Sequence, residues 1–341
     1  MRITPGHAPG FGGARVVPLP DVDLEALPAR GARKLSYSIV VLTFERNHLL
    51  EHLLAELQGF LRAGAQIIIV DNASRVPAET ITRLHPDVTL IRAPHNLGAA
   101  GRNLGFDAAT GDVIICLDDD IHGLSRDALE RLDEIFADSR IGAVNFTVLE
   151  EGTGRVVNWV HHRRVEQFCR AVFETYEITE GAVAFRGSIL QRVGGYPEAF
   201  FLSHEGPDLA FRIMNEGSQV IYSPAVSVTH SFAPEGRTSW RNYYYDTRNT
   251  LWLAARNLPM GYGFRIVVRQ TLAMLLYSLR DGYIKWWSKG IWDGVRGLCT
   301  AWGERRVLSN ETMRRIRQID SFRPPLWYLL RRWTVRDIHR L

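Results

Sequence analysis

The sequence predicts an α/β protein with a mostly parallel central sheet flanked by helices, followed by a basic helical extension. Three observations carry this. Short, near-continuously apolar runs alternate with amphipathic stretches from Tyr37 to about residue 138. Acidic residues stand where several of those runs end. Residues 256–341 hold 17 Lys+Arg against 6 Asp+Glu, a net +11, while residues 1–255 hold 24 against 31, a net −7.

The elements follow in order. Residues 1–35 are rich in Pro and Gly, lack periodicity and read as a loosely ordered leader. They offer no apolar core of about 7–15 residues such as a secretory signal needs. "YSIVVL" (37–42) reads as a strand, and the helix after it carries Leu49, Leu50, Leu53, Leu54, Leu57 and Leu61 on one stripe, with Asn47 as N-cap and Gly64 as stop. "QIIIV" (66–70), a helix near 78–84, "VTLI" (88–91), a helix from Leu97 to Ala109, "VIICL" (113–117) and a helix over 125–138 capped by Ser125 continue the rhythm. Beyond residue 140, "IGAVNFTVL" (141–149), "GAVAF" (181–185) and "SQVIYSPAVSVTH" (218–230) read as strands, and "GPDLAFRIMNEG" (206–217) as a helix with Pro207 in its first turn. From Trp240 the chain reads as helix, with one stretch over 264–287. That stretch is too charged, at Arg265, Arg269 and Arg280, for the roughly 20 apolar residues of a membrane span.

A chain of 341 residues with 46% hydrophobic and 23% charged residues folds rather than staying disordered. Cys116, Cys169 and Cys299 form neither a zinc pattern nor a disulfide framework, so a cytoplasmic location is expected. Six of the nine tryptophans lie in the basic tail. That mixture predicts either contact with an anionic membrane surface, on the inner face of the plasma membrane, or packing against the core. No nucleic-acid partner is expected.

The densest chemistry is in "VIICLDDDIH" (113–122), where strand alternation places Asp118 and Asp120 on one side and Asp119 on the other. Two like charges about 4 Å apart repel by about 4 kcal/mol at an effective dielectric of 20. A divalent cation removes that cost, and oxygen ligands without a Cys or His cluster favour Mg²⁺ or Mn²⁺ over zinc. In parallel sheets ligands bind at the carboxyl ends of strands. Thr43 follows the first strand and Asp71 the second, where Asp71 either accepts from a ring N–H or sugar hydroxyl or caps the next helix. In "APHNLGAAGRNLGFDAATGD" (93–112), Asn96 can cap a helix whose small residues admit a ligand, and Arg102 can reach a base carbonyl or a phosphate. Neither a Walker lysine nor G-x-G-x-x-G is present, which argues against a P-loop or a dinucleotide cradle.

This ordered set, continued by "EGAVAFRGSILQRVGGYPEAFFLSHEGPDLAFRIMNEG" (180–217) and "YSPAVSVTHSF" (222–232), resembles the family 2 glycosyltransferases over about residues 37–257. The resemblance implies a Rossmann-like GT-A domain over residues 36–257, with 258–341 as the extension. It implies inverting, metal-assisted transfer of a hexosyl or rhamnosyl group from a nucleotide-diphosphate sugar to a hydroxyl of a glycan or lipid-linked acceptor, in cell-envelope polysaccharide or glycolipid synthesis. Donor binding would fall to Thr43, Glu45, Asp71, Asn96, Arg102, Asp118 and Asp119, with Asp118 at the ribose. Mn²⁺ or Mg²⁺ would sit on Asp120, with His230 as a further ligand or as a structural residue.

The catalytic base is expected from "HEGPDLAFR", where Gly206 stands in place of the second acid of the family's usual pair. Glu205 and Asp208 remain. Pro207 puts Asp208 inside a helix, whereas Glu205 is expected on the preceding loop, pointing more freely into the crevice, and is therefore the expected base. The alternative is that either acid only stabilises the helix N-terminus. Arg248 and Asn249 read as phosphate or acceptor contacts, or as packed core. A sugar nucleotidyltransferase would need a Gly-rich loop where "TFERN" follows the first strand. A membrane-associated, non-catalytic protein with a vestigial site is the other alternative, motivated by Gly206 and the tail.

Overall fold

The computed structural model describes residues 34–231 and 240–323. The leader up to residue 33, and Trp327 and Trp333 of the tail, lie outside the described residues. Each early apolar run becomes a strand: β1 (Tyr37–Thr43), β2 (Gln66–Asp71), β3 (Thr89–Arg92) and β4 (Val113–Asp118) alternate with α1 (Asn47–Arg62), α2 (Glu79–Thr82) and α3 (Arg102–Ala108). A 3-10 turn at Gly98–Gly101 leads into α3. There follow β5 (Ile121–His122), α4 (Ala128–Phe136), β6 (Ile141–Glu150), α5 (Val165–Phe168), β7 (Phe173–Glu174), β8 (Ala182–Arg186), α6 (Gly187–Val193), α7 (Glu205–Asn215) and β9 (Gln219–His230). Helices α8 (Trp240–Asn257), α9 (Met260–Asp281), α10 (Ile284–Arg296), α11 (Leu298–Gly303) and α12 (Asn310–Asp320) complete the described chain.

The strands lie in the order β3-β2-β1-β4-β8-β6-β9-β5, with β7 also on β9. The first four are parallel, as the alternation of runs and helices requires. Strand β8 then runs antiparallel between β4 and β6, and β6 and β9 are parallel again. Both faces are covered, so successive residues of one strand enter different cores. Ile39 and Val41 of β1 pack with Leu50, Leu53 and Leu57 of α1, while Val40 packs with Phe106 and Phe185 on the opposite face.

Several expected boundaries move. The N-cap position of α1 is Arg46, and the Asn47 amide instead donates to the Val76 and Pro77 carbonyls, tying α1 to the loop after β2. Ser125 lies three residues ahead of α4 and accepts through its carbonyl from Ala128 N–H, not as a side-chain cap. The stretch expected as one helix over 264–287 breaks at Gly282, whose φ of +79° favours glycine.

Among the described residues no helix is long and apolar enough to cross a membrane. The tail helices pack on α8 and the core: Trp240 stacks on Trp286 at 4.1 Å between ring centres, and the Trp252 indole donates to the Gly294 carbonyl. Met313, Ile316 and Ile319 of α12 are buried with Tyr176, Phe211 and Met214. One face of α9 is different: Met260, Phe264, Val268, Leu272 and Leu276, spaced every four residues, stay exposed.

Candidate functional site

The parallel half of the sheet brings its carboxyl ends together, and the register decides which side chains meet. Leu42 lies opposite Asp118, so Thr43 is carried next to Asp119, and its hydroxyl donates to Asp119 Oδ2 at 2.8 Å. Strand β4 ends at Asp118, and residues 119–120 form a turn, so strand alternation does not apply to them. Asp119 and Asp120 therefore do not point apart as expected: one guanidinium nitrogen of Arg46 bridges them, 2.9 Å from Asp119 Oδ1 and 2.6 Å from Asp120 Oδ2. Burial pushes Asp119 up to about 7, against the opposing pull of Arg46 and Thr43.

Strand β9 supplies the next group. Its last residue, His230, pairs with Ile121 of β5, which sets the buried imidazole Nε2 3.3 Å from Asp120 Oδ2. The carboxylate oxygen and imidazole nitrogen form a donor pair that suits Mn²⁺, and Mg²⁺ through the carboxylate. On the other side of the ring, the Asn158 amide nitrogen lies 3.4 Å from His230 Nδ1. Among the described residues no three His, Cys, Asp or Glu side chains converge as a metal site. The chain thus fits a cation with two ligands, leaving other positions for substrate oxygens, the usual arrangement where phosphates complete the shell.

Asp118 faces the other way along the edge and is ion-paired with Arg102. The expectation that Arg102 reaches a ligand is corrected: it is buried, tied to Asp118 and the Ala99 carbonyl, and its Nε has no hydrogen-bond partner. Asp71 is fully buried, and its carboxylate accepts from Ser74 N–H, Ala78 N–H and, at 2.5 Å, Arg92. Of its two expected roles, shaping the following turn accounts for these contacts. Glu45 has a left-handed φ of +60° and holds Arg75. Asn96 accepts from Gly98 N–H at the start of the 3-10 turn and, with His95, Leu97, Glu198 and Phe201, lines a cavity of about 580 Å³.

The expected positions of Glu205 and Asp208 are also corrected. Both are in α7 and both are buried, so Glu205 is not on a free loop. Asp208 accepts from Arg212, Arg256 and Asn257, which consume its charge inside the fold. Glu205 has no such partners: neither oxygen meets a hydrogen-bond donor, and the group beside it is the Glu180 carboxyl. Burial raises both acids above the usual carboxylate range, and each acts on the other.

The loop before α7 holds Phe201, Ser203 and His204 at positive φ. Buried Arg248 and Asn249 explain how it keeps that shape: Arg248 donates to the Ala199 and Phe200 carbonyls, and Asn249 to those of Phe200, Leu202 and Ser203. Sequence reasoning missed Arg46 and Glu180. Arg46 was legible as a cation just past β1, whereas Glu180 required knowing that β8 runs antiparallel beside β4.

Residues 38–193 match the family model described as glycosyl transferase family 2. Those residues form a family 2 glycosyltransferase domain. The chain is 28% identical over 217 residues to the pre-mycofactocin glycosyltransferase of Mycobacterium tuberculosis H37Rv, covering 60% of this chain and 43% of that protein. It is 23% identical over 193 residues to the O-antigen chain rhamnosyltransferase WbaN of Salmonella anatum, covering 53% of this chain and 61% of WbaN. In each case the match spans less than two thirds of the relative's length. The solved mannosyltransferase PcManGT of Pyrobaculum calidifontis, in complex with GDP-Man and Mn²⁺, superposes with a TM-score of 0.51 at 17% identity, covering 78% of this chain and 88% of that one. That likeness supports the GT-A fold expected from the motif order.

Proposed function

We propose that this glycosyltransferase moves a sugar from a nucleotide-diphosphate donor to a hydroxyl of a glycan or lipid-linked acceptor, with inversion, in cell-envelope glycan synthesis. The observation that carries the proposal is the convergence of Thr43, Arg46, Asp118, Asp119, Asp120 and His230 at the carboxyl ends of β1, β4 and β9. The names of the two relatives support the reaction class, and that of WbaN supports an envelope glycan.

Asp120 and His230 would hold Mn²⁺ or Mg²⁺, which supplies positive charge to the leaving diphosphate. Thr43, Glu45, Asp71, Asn96, Asp118 and Asp119 shape the donor crevice, directly or through the turns they hold. Arg102 holds Asp118 in place through their ion pair. The acceptor oxygen attacks the anomeric carbon as the bond to the diphosphate breaks, and one in-line displacement inverts the configuration. The acceptor's proton goes to the carboxyl pair at the start of α7, to which Glu205 belongs; Asp208 is already committed to its arginines.

Thermal stabilisation by UDP-, GDP- and dTDP-sugars with Mn²⁺ tests this. A donor at about 100 times its Kd should add about 2.7 kcal/mol, lost on chelation. No stabilisation by any of them refutes the reading.

The exposed apolar row of α9, with Arg265 and Arg269 beside it, is proposed to lie on an anionic membrane surface. Deleting the tail is the wrong test, because α12 supplies buried core. Phe264→Asp and Leu272→Asp should release the protein from vesicles containing phosphatidylglycerol; unchanged co-sedimentation overturns the contact.

A further inference from the structure

We propose that Glu180 is the base that takes the acceptor's proton, standing in the space that Gly206 leaves open, and that Glu205 is its positioning residue. The proposal deepens the transferase reading and rests on it.

Its geometry comes from β8. Leu117 lies opposite Ala182, and Asp118 N–H donates to the Gly181 carbonyl, so the residue before Gly181 arrives at the same carboxyl edge as the aspartates. Gly181 permits this approach: its φ is +78°, and a Cβ there would fall 2.3 Å from Asp118 Cγ. Across the crevice, Gly206 N–H in the first turn of α7 donates to Glu180 Oε1 at 3.1 Å. A Cβ on residue 206 would lie 2.8 Å from that same oxygen. A side chain at 206 and the Glu180 carboxyl therefore compete for one place, and the acid missing from α7 is replaced in space by one from β8.

The surroundings mark a reactive pair. Glu205 is fully buried, whereas Glu180 keeps part of its residue surface exposed. Around them, both Glu205 oxygens, Tyr196 Oη and Arg102 Nε are buried without hydrogen-bond partners, a concentration of unsatisfied groups that a packed core does not tolerate without a use. The charged and titratable groups facing Glu180 are Glu205 on α7, Arg102 on α3, Asp118 on β4 and Tyr196 in the loop after α6. Burial and the neighbouring Glu205 hold Glu180 well above the usual carboxylate range, and the pair binds and releases protons as a unit. A base of raised pKa is matched to a hydroxyl at neutral pH.

The step balances. The acceptor's O–H proton moves to the Glu180 carboxylate, the oxygen's electron pair forms the new bond to the anomeric carbon, and the electrons of the broken bond leave with the nucleoside diphosphate.

The test uses the full chain with Mn²⁺ and a panel of UDP-glucose, UDP-N-acetylglucosamine, GDP-mannose and dTDP-rhamnose, reading donor-induced stabilisation and release of nucleoside diphosphate with water as acceptor. Glu180→Gln, whose amide oxygen still accepts from Gly206 N–H, should keep the stabilisation and lose about 10²–10⁴-fold in kcat. Glu205→Gln should lose less, and the acid limb of its pH profile should move to lower pH as Glu180 loses a like-charged neighbour. Glu180→Ala combined with Gly206→Asp should regain activity over Glu180→Ala alone, a rescue that misfolding cannot mimic. Wild-type turnover by Glu180→Gln overturns the proposal. So does a Glu205→Gln variant as impaired as Glu180→Gln with an unmoved pH limb, or a donor-binding double variant without rescue. A wild-type protein that binds none of the donors refutes the transferase reading itself, and this assignment with it.

Discussion

Asp119 and Asp120 face Arg46, with His230 beside Asp120, and Asp118 faces Arg102, whereas Glu180 and Glu205, one strand away, face each other. Both groups crowd acid at the same edge of one sheet. The first relieves its repulsion with neighbouring positive charge, whereas burial holds both acids of the second above the usual carboxylate range. The difference teaches what each is suited to hold: the cation-paired acids suit a metal and an anionic donor, and the buried acids of raised pKa suit a hydroxyl that must lose its hydrogen.

The comparison breaks most readily at Asp208, which lies on α7 with Glu205 yet belongs with the cation-paired acids. Asp208→Ala removes a fully buried carboxylate from partly buried Arg212 and Arg256, leaving Arg212 without its carboxylate and Arg256 with Glu304 alone, and urea unfolding should show a loss of about 3 kcal/mol. Next comes Asp120→Ala, which should lower donor turnover by about 10²–10³-fold and abolish stabilisation by a nucleoside diphosphate with Mn²⁺; retention of that stabilisation would move the metal elsewhere.

An effect that is small in each pH unit tests whether burial without counter-charge keeps another group neutral. Burial lowers His161 from 6.5 to about 3. The folded protein keeps it neutral while the unfolded chain protonates, so its contribution is fully present above pH 6.5 and is lost as pH falls toward 3. Native stability should drop by about 1.4 kcal/mol per pH unit in that window, and His161→Phe should flatten the slope. The smallest effect is chemical: burial pushes the Cys116 thiol, beside Arg102, up to about 12, while Cys299 is exposed. Ellman's reagent should label Cys299 in the native protein and Cys116 only after unfolding.

Legibility followed sequence range. Strands β1, β2 and β4 and the apolar stripe of α1 were readable because burial on both faces, or on one stripe, writes a local pattern into consecutive residues. Thr43, Asp71 and the three aspartates were readable as strand-end residues for the same reason. Asn47 misled, because a good capping residue served better in tying α1 to the loop at Val76. Glu205 misled in the same way, since the loop before α7 ends one residue earlier than Pro207 suggests, held by Arg248 and Asn249 from α8.

From the sequence alone came the alternating sheet, the order of motifs, the run of acids and the glycine that interrupts the expected acidic pair. Each depends on residues close together in the chain. Only the tertiary structure decided that Arg46 bridges Asp119 and Asp120, that Asp208 is spent on two arginines, and that Glu180 fills the space beside Gly206. Those outcomes depend on β8 running antiparallel against β4 and on α8 closing over the loop before α7, contacts between segments tens of residues apart. No local pattern records them, because ion pairing and the crowding of buried acids depend on distance in space rather than along the chain.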